Sequence, residues 1–423
     1  MPDFYPLARQ LLWRVQPETA HKIALWTLRA GLGFLASGER MGTVDHPALA
    51  QSLWGLNFRN PVGIAAGFDK DALAFDALLR FGFGAVEVGT VTPRQQSGNL
   101  KPRLFRLDQD KAIINRMGFP SAGLDTVLKR IARHKRSNGI LGINLGKNLS
   151  SKDAAADYIE GIRLTAGLAD YLVINISSPN TPGLRELQRR EPLRLLMKEL
   201  IDTRDRVSSN TPLLIKIAPD LSNQESYEVA DVALDLGIDG IVISNTTVER
   251  PTSLKSPEAE EQGGLSGPQL FETSTVLLSE IYRLTSGRIP LIGVGGISSA
   301  EDAYTKIRAG ASLVQVHSSL IFNGLSLVAK IKAGILRLLS KDGFSRITDA
   351  IGVDHIDSIS NGFRRQGVAV APHFSNTGSG LEYIHGAQDK DCSDHRWRQG
   401  IQSGLRQGLS AHRDGRTAGR EVG

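Results

Sequence analysis

The run Tyr171-Leu172-Val173-Ile174-Asn175-Ile176-Ser177-Ser178-Pro179-Asn180-Thr181-Pro182-Gly183 changes character halfway along. Its first half is continuously apolar, which reads as a strand buried on both faces. Its second half offers asparagine, serine and proline in close succession. The prolines stop the strand ladder and stiffen the loop, holding the polar groups at the strand's carboxyl end. Asparagine supplies donors and an acceptor without charge, which suits a flat, amide-rich ring. An inert Asn/Ser-rich connector would have the same composition. Lys216 lies inside a second apolar run, Leu213 to Ile217, where an unpaired ammonium is costly and a partner is required. A structural salt bridge is one way to meet that need. Gly295-Gly296 permits close backbone approach, whether to a ligand or only within a tight loop.

These groups need a scaffold that brings strand ends together. Apolar runs recur at Pro61–Ala66, Ala85–Gly89, Leu141–Asn144, Tyr171–Ile176, Leu213–Ile217, Gly240–Ser244, Pro290–Val294 and Leu313–Val316. Segments of helical periodicity separate them, including Asp71–Phe81, Ser121–His134, Glu225–Leu236 and Ala300–Ala309. Strands alternating with helices in this number predict an α/β fold of the (β/α)8, or TIM, barrel type. A doubly wound sheet is the competitor, but no Gly-x-Gly-x-x-Gly follows the first strand. In a barrel the residues after each run share one mouth, and shared position makes a site.

The chain has 423 residues and is 41% hydrophobic, enough for one large barrel with additions. A net charge of +6 without a Lys/Arg stripe argues against a nucleic-acid partner and for anionic ligands or lipid surfaces. The single cysteine, Cys392, cannot build a disulfide framework, zinc cluster or iron–sulfur cluster by itself, and no metal site is expected. No secretory signal or membrane-spanning apolar run is present in the sequence, which sets a cytosolic compartment as the default.

The strand-end motifs resemble one family. Ala66-Gly67-Phe68-Asp69-Lys70, Glu87-Val88-Gly89-Thr90-Val91-Thr92-Pro93-Arg94, Asn115-Arg116-Met117-Gly118-Phe119, Asn175 to Leu184 and Gly293-Val294-Gly295-Gly296-Ile297 look like dihydroorotate dehydrogenase. The resemblance is to the quinone-linked class 2 enzymes and covers about residues 1 to 355. It implies oxidation of dihydroorotate to orotate in pyrimidine synthesis, with FMN as cofactor and a membrane quinone as acceptor. It places Ser178 as the base for the C5 proton; class 1 enzymes use cysteine there. On the same ground Lys216 faces the flavin's pyrimidine edge. Thr90, Asn144, Asn175, Ser244, Gly267 and the Ala66-Gly67 backbone complete the cradle. Gly295-Gly296 and His317-Ser318 hold the phosphate through backbone N–H groups. The family often has tyrosine where His317 stands here. For the pyrimidine, Asn115, Asn175, Asn180, Asn245 and Thr246 meet the ring edge. Lys70 and the N–H groups of Arg116, Met117, Gly118 and Phe119 meet the carboxylate.

The amino-terminal segment carries a different pattern. Leu7, Leu11, Leu12 and Val15 fall on one helical face, and Pro17-Glu18 opens a second helix with Ile23, Ala24, Thr27, Leu28 and Gly31 on its apolar side. Such helices could merely cap a barrel. The family resemblance makes residues 1–40 an interfacial hairpin, peripheral to the cytoplasmic side of the cell membrane, with His21 and Arg106 along the quinone route. Residues 41–355 then form the barrel. Residues 356–423, glycine-rich and without periodicity, are expected to be a tail of low order. Two alternatives stay open: a soluble FMN barrel using fumarate or NAD on a related pyrimidine, and a non-enzymatic flavin- or phosphate-binding barrel that docks a protein partner.

Overall fold

The computed structural model describes residues 5–32, 45–133 and 139–355. The expected tail at 356–423 and the expected boundary at residue 40 lie outside the described residues, as does His134. Strands β1 (Gln51–Leu53) and β2 (Leu56–Phe58) form an antiparallel hairpin. Next come β3 (Val62–Ile64), β4 (Ala85–Val91), β5 (Leu104–Leu107), β6 (Ala112–Asn115), β7 (Ile140–Leu145) and β8 (Tyr171–Asn175). The remainder are β9 (Leu213–Ile217), β10 (Gly240–Ile243), β11 (Gly264–Ser266), β12 (Leu291–Val294) and β13 (Ala311–Val316). Eight of them, β3, β4, β7, β8, β9, β10, β12 and β13, close into a parallel barrel, as the eight apolar runs predict. β5, β6 and β11 make a separate antiparallel sheet that the apolar runs did not announce.

Helices α1 (Tyr5–Trp13) and α2 (Pro17–Arg29) precede the barrel, and α3 (Phe75–Arg80), α4 (Leu124–Arg133), α5 (Ala154–Thr165) and α6 (Arg190–Ser208) wrap it. The wrap continues with α7 (Asn223–Leu236), α8 (Phe271–Leu284), α9 (Ala300–Arg308), α10 (Ser318–Asn323) and α11 (Leu327–Asp342). Some expected boundaries shift for local reasons. Residues 71–74 are not helical: Asp69 takes the N–H groups of Leu73 and Ala74 at 2.8 and 2.7 Å, and Ala72 adopts a φ of 54°. α7 starts at Asn223 because Ser222 and Glu225 form a capping box. Val15 lies beyond the end of α1.

Period-two alternation sends one set of strand residues inward. At the lower end Phe58, Tyr171, Val173, Leu214, Val242, Ile292 and Leu313 pack with Leu53 and Trp54 of the β1–β2 hairpin, which plugs the barrel. Gly142 is required there, since a Cβ would lie 2.2 Å from the Tyr171 ring. Two residues further along the same strands, the inward positions become polar: Glu87, Asn144, Asn175, Lys216 and Gln315. The barrel is therefore oily at the bottom and polar toward the mouth.

Candidate active site

Glu87 forms the floor. It is fully buried, and its carboxylate accepts from Asn144 Nδ2 at 2.8 Å, Gln315 Nε2 at 2.7 Å and the Tyr171 hydroxyl at 3.4 Å. Above it, Thr90 Oγ1 donates to Asn144 Oδ1 at 2.6 Å, and Asn175 Nδ2 donates to Thr90 Oγ1 at 2.9 Å. Asn175 Oδ1 then accepts from Ser177 Oγ at 3.1 Å and Asn245 Nδ2 at 3.3 Å. Each amide is thereby oriented by the next. Lys216 sits at the same level, 5% exposed, without an ion pair or hydrogen bond to any described residue. The structural salt bridge considered for it does not form. Burial pulls its pKa down, and the Glu87 carboxylate opposes that shift. Lys216 instead lines a cavity of about 600 Å³.

One side of the cavity is polar. Ser178 Oγ accepts the Asn180 N–H at 3.3 Å, and Asn180 Nδ2 donates to the Asn115 carbonyl at 3.1 Å. Asn245, Thr246 and Ser244 line the same wall after β10, with the Thr246 N–H on Asn245 Oδ1 at 2.8 Å. Arg185, which sequence reasoning missed, ties the two loops by donating to the carbonyls of Ser177 at 3.1 Å and Thr246 at 3.0 Å. In the loop after β6, the N–H groups of Met117, Gly118 and Phe119 have no partner among the described residues. Arg116 differs: its N–H is taken by the Arg103 carbonyl at 2.9 Å and its guanidinium pairs with Glu261 at 2.7 Å. It therefore stands outside the wall, against the expectation for it. Lys70 Nζ donates to the Gly67 carbonyl at 2.5 Å, and burial pushes its pKa down to about 8.

The opposite side combines glycines with apolar helices. Ala66, Gly67, Gly295, Gly296, His317 and Ser318 meet at the ends of β3, β12 and β13. Gly296 has a φ of 73°, and a Cβ there would fall 2.4 Å from that of Phe271. No described residue accepts the Gly296 or Ser318 N–H, and the buried Ser319 Oγ also lacks a partner. That donor set fits a phosphate. Asn144 and Gly267 lie behind the wall, Asn144 saturated by Glu87, Thr90 and Asn175, and Gly267 against Ala112. Beyond the glycines, Phe68 stands edge-on between His21 and His317, with ring centroids 5.4 and 6.2 Å away. Burial pushes His21 down to about 3 and His317 to about 4, so both are neutral at pH 7. The cavity then runs out between Leu11, Leu12, Val15, Ile23, Ala24 and Leu28. Arg106 also lines it, donating to the carbonyls of Leu12, Trp13 and Val15 at 3.1, 3.2 and 2.7 Å, which closes the end of α1.

Glu87 and Gln315 were not singled out from the sequence. Their signal was available in part: Glu87 and Gln315 are charged or polar residues at inward positions of otherwise apolar strands.

The sequence matches the family profile described as dihydroorotate dehydrogenase over residues 48–339. It is 51% identical over 359 residues to the dihydroorotate dehydrogenase (quinone) of Rhodospirillum rubrum, covering 84% of this chain and 96% of that protein. It is 50% identical to the mitochondrial dihydroorotate dehydrogenase (quinone) of Mus musculus, covering 83% and 89% respectively. Among solved structures, that of the Eimeria tenella dihydroorotate dehydrogenase in complex with ferulenol superposes with a TM-score of 0.76 at 42% identity, covering 81% of this chain and 96% of that one.

Proposed function

The chain belongs to the dihydroorotate dehydrogenase family, and from that premise we propose that it oxidises dihydroorotate to orotate in pyrimidine biosynthesis, with FMN as cofactor and a membrane quinone as acceptor. One observation carries this reading. A single cavity joins a buried, unpaired cation (Lys216), an asparagine-lined wall, a set of unused backbone donors and an apolar hairpin.

When bound, FMN supplies the hydride acceptor and the two-electron link to the quinone. The chain's own residues do the rest. Gly296 and Ser318 N–H groups hold the phosphate, aided by the Ser319 hydroxyl. Lys216, desolvated and close to the Glu87 level of the cavity, would favour negative charge on a flavin held there. Thr90, Asn175 and Ser244 bound the ring, while Asn144 orients Asn175 from behind. Asn115, Asn180, Asn245 and Thr246 orient the pyrimidine, and Lys70 with the N–H groups of 117–119 holds its carboxylate. Ser178 Oγ would take the C5 proton as its own hydroxyl proton passes to a water molecule or relay in the cavity, while the hydride leaves C6 for the bound flavin. The position of Ser178 Oγ is fixed by the Asn180 N–H, and the buried loop keeps bulk water from competing. The neutral His21 and His317 and the apolar residues of α1 and α2 suit a lipophilic acceptor.

No described helix is long and apolar enough to cross a membrane. Leu7, Leu11, Ile23 and Trp26 are nonetheless 63, 66, 44 and 65% exposed on the two helices. We assign the described part of residues 1–40 to a lipid-facing hairpin at the cytoplasmic side of the membrane, and residues 41–355 to the catalytic barrel.

The test uses the purified full chain. It should be yellow with FMN, lose its colour anaerobically with dihydroorotate, and regain it with a lipophilic quinone but not with fumarate or NAD. A colourless protein that cannot be reconstituted with FMN overturns the flavin reading, and recovery by fumarate or NAD alone overturns the acceptor.

A further inference from the structure

The first turn of α2 is wired into the substrate wall. Glu18 receives two parallel hydrogen bonds from Arg103, Nε to Oε2 at 3.1 Å and Nη2 to Oε1 at 2.9 Å. Arg103 is 7% exposed, and its Nη1 also donates to the carbonyls of Ser97 at 2.5 Å and Asn99 at 2.8 Å. A planar, desolvated fork of this kind fixes direction as well as distance. Its target, Asn99, is the hinge between both substrate loops. Asn99 Nδ2 donates to the Arg116 carbonyl at 3.1 Å and to the Asn180 carbonyl at 3.3 Å, and the Asn99 N–H donates to the Met117 carbonyl at 2.9 Å. Gly118 is pressed on the same side chain: a Cβ there would meet Asn99 Oδ1 at 2.5 Å.

We infer that Glu18 is a positioning residue for the substrate half of the site, acting through Arg103 and Asn99 on the 116–119 loop and on Asn180. The inference rests on the proposed function only for the identity of the ligand. The helix that walls the acceptor route and the loops that hold the substrate are joined by contacts shorter than 3.4 Å throughout. Movement of α2 away from the barrel must therefore break the fork or drag Asn99. By linkage, a ligand that orders the two loops also holds α2 down, by the same free energy. Glu18 stays ionised to do this: the Arg103 hydrogen bonds hold its carboxyl below the usual range against the opposing cost of burial.

The experiment has two arms. In the ligand-free protein, Glu18→Gln should speed exchange of the hydrogen-bonded amides of Asn99, Arg116 and Asn180, while Lys22→Gln should not; the Lys22 Nζ lies 4.0 Å from Glu18 and its side chain is 68% exposed. In the flavin-loaded protein, Glu18→Gln and Asn99→Ala should each weaken orotate binding by roughly fivefold, the lower end of typical coupling between sites. Flavin retention should be unchanged in both. The double variant should be no weaker than the worse single, because both cut one chain. Unchanged exchange at those amides in Glu18→Gln, or single effects that multiply, would overturn the coupling. A wild-type protein that does not bind orotate would instead overturn the ligand assignment, with the exchange arm still deciding the coupling.

Discussion

At the scale of single residues, the site depends on groups held in ionisation states or orientations that water would not give them. Ser178 is an ordinary hydroxyl in a fixed place, so its value lies in position. Replacing it with alanine should leave FMN content and orotate affinity nearly unchanged. Anaerobic stopped flow should show flavin reduction by dihydroorotate slowed by about 10²–10⁴-fold, the usual worth of a placed base. An undiminished rate would move the proton acceptor elsewhere. The asparagines of this shell were readable from the sequence because polar residues directly after buried apolar runs are conspicuous. Glu87 was not, since a carboxylate inside a strand carries no sign of its partners. Those partners, Asn144, Gln315 and Tyr171, come from three other strands that only the closed ring brings within bonding distance. The Arg116 N–H and guanidinium are taken instead by the Arg103 carbonyl and Glu261, neither of which belongs to the motif that suggested it.

At the scale of elements, the barrel strands were legible because each is buried on both faces and so must be apolar throughout. The β5–β6–β11 sheet was not. Its β5 is half-exposed and carries Arg106, and β11 is three residues long. The two amino-terminal helices were legible from their apolar faces, but not their attachment, which depends on Arg9 and Tyr5 reaching the carbonyls of Phe322 and Ile321 at 2.8 and 2.5 Å. Leu7 and Trp26 are exposed and do not line the cavity, so they can be changed without touching the proposed route. Burying such side chains contributes about 1.5–3 kcal/mol each. The double variant Leu7→Gln, Trp26→Gln should therefore bind lipid vesicles more weakly in co-sedimentation, by on the order of 100-fold or more. Its flavin reduction by dihydroorotate should match the parent. Vesicle binding at the parental level would remove lipid docking from this face.

At the scale of the whole molecule, buried bases set the response to acid. The imidazoles of His21 and His317 titrate at 6.5 when exposed but are held at about 3 and about 4 in the fold. Between those values the unfolded chain binds protons that the native state refuses, so both contributions to stability are lost as pH falls below 6.5. Asp69 works in the opposite sense, because burial raises its carboxyl pKa. His21→Gln removes one of the first kind and leaves the second. In calorimetry the thermal midpoint of that variant should fall less between pH 6.5 and 4.5 than that of the parent. An equal fall would mean that His21 is already free to take up its proton in the native state.

The barrel's closure has a consequence in time. β3 is three residues long and completes the ring by pairing Val62, Gly63 and Ile64 with Val314, Gln315 and Val316 of β13. About 250 residues separate the two strands, so at the usual elongation rate of about 5–20 residues per second the ribosome delivers the second edge roughly 13–50 s after the first. Throughout that interval the first strand has one unpaired edge, the kind of template on which chains adhere to one another. Ala66 and Gly67 follow that strand directly, and His317 and Ser318 follow its late partner. Residues of the proposed flavin site are thus among the first and last parts of the barrel to be made, and a nascent chain lacks that site's full complement until its final strand arrives.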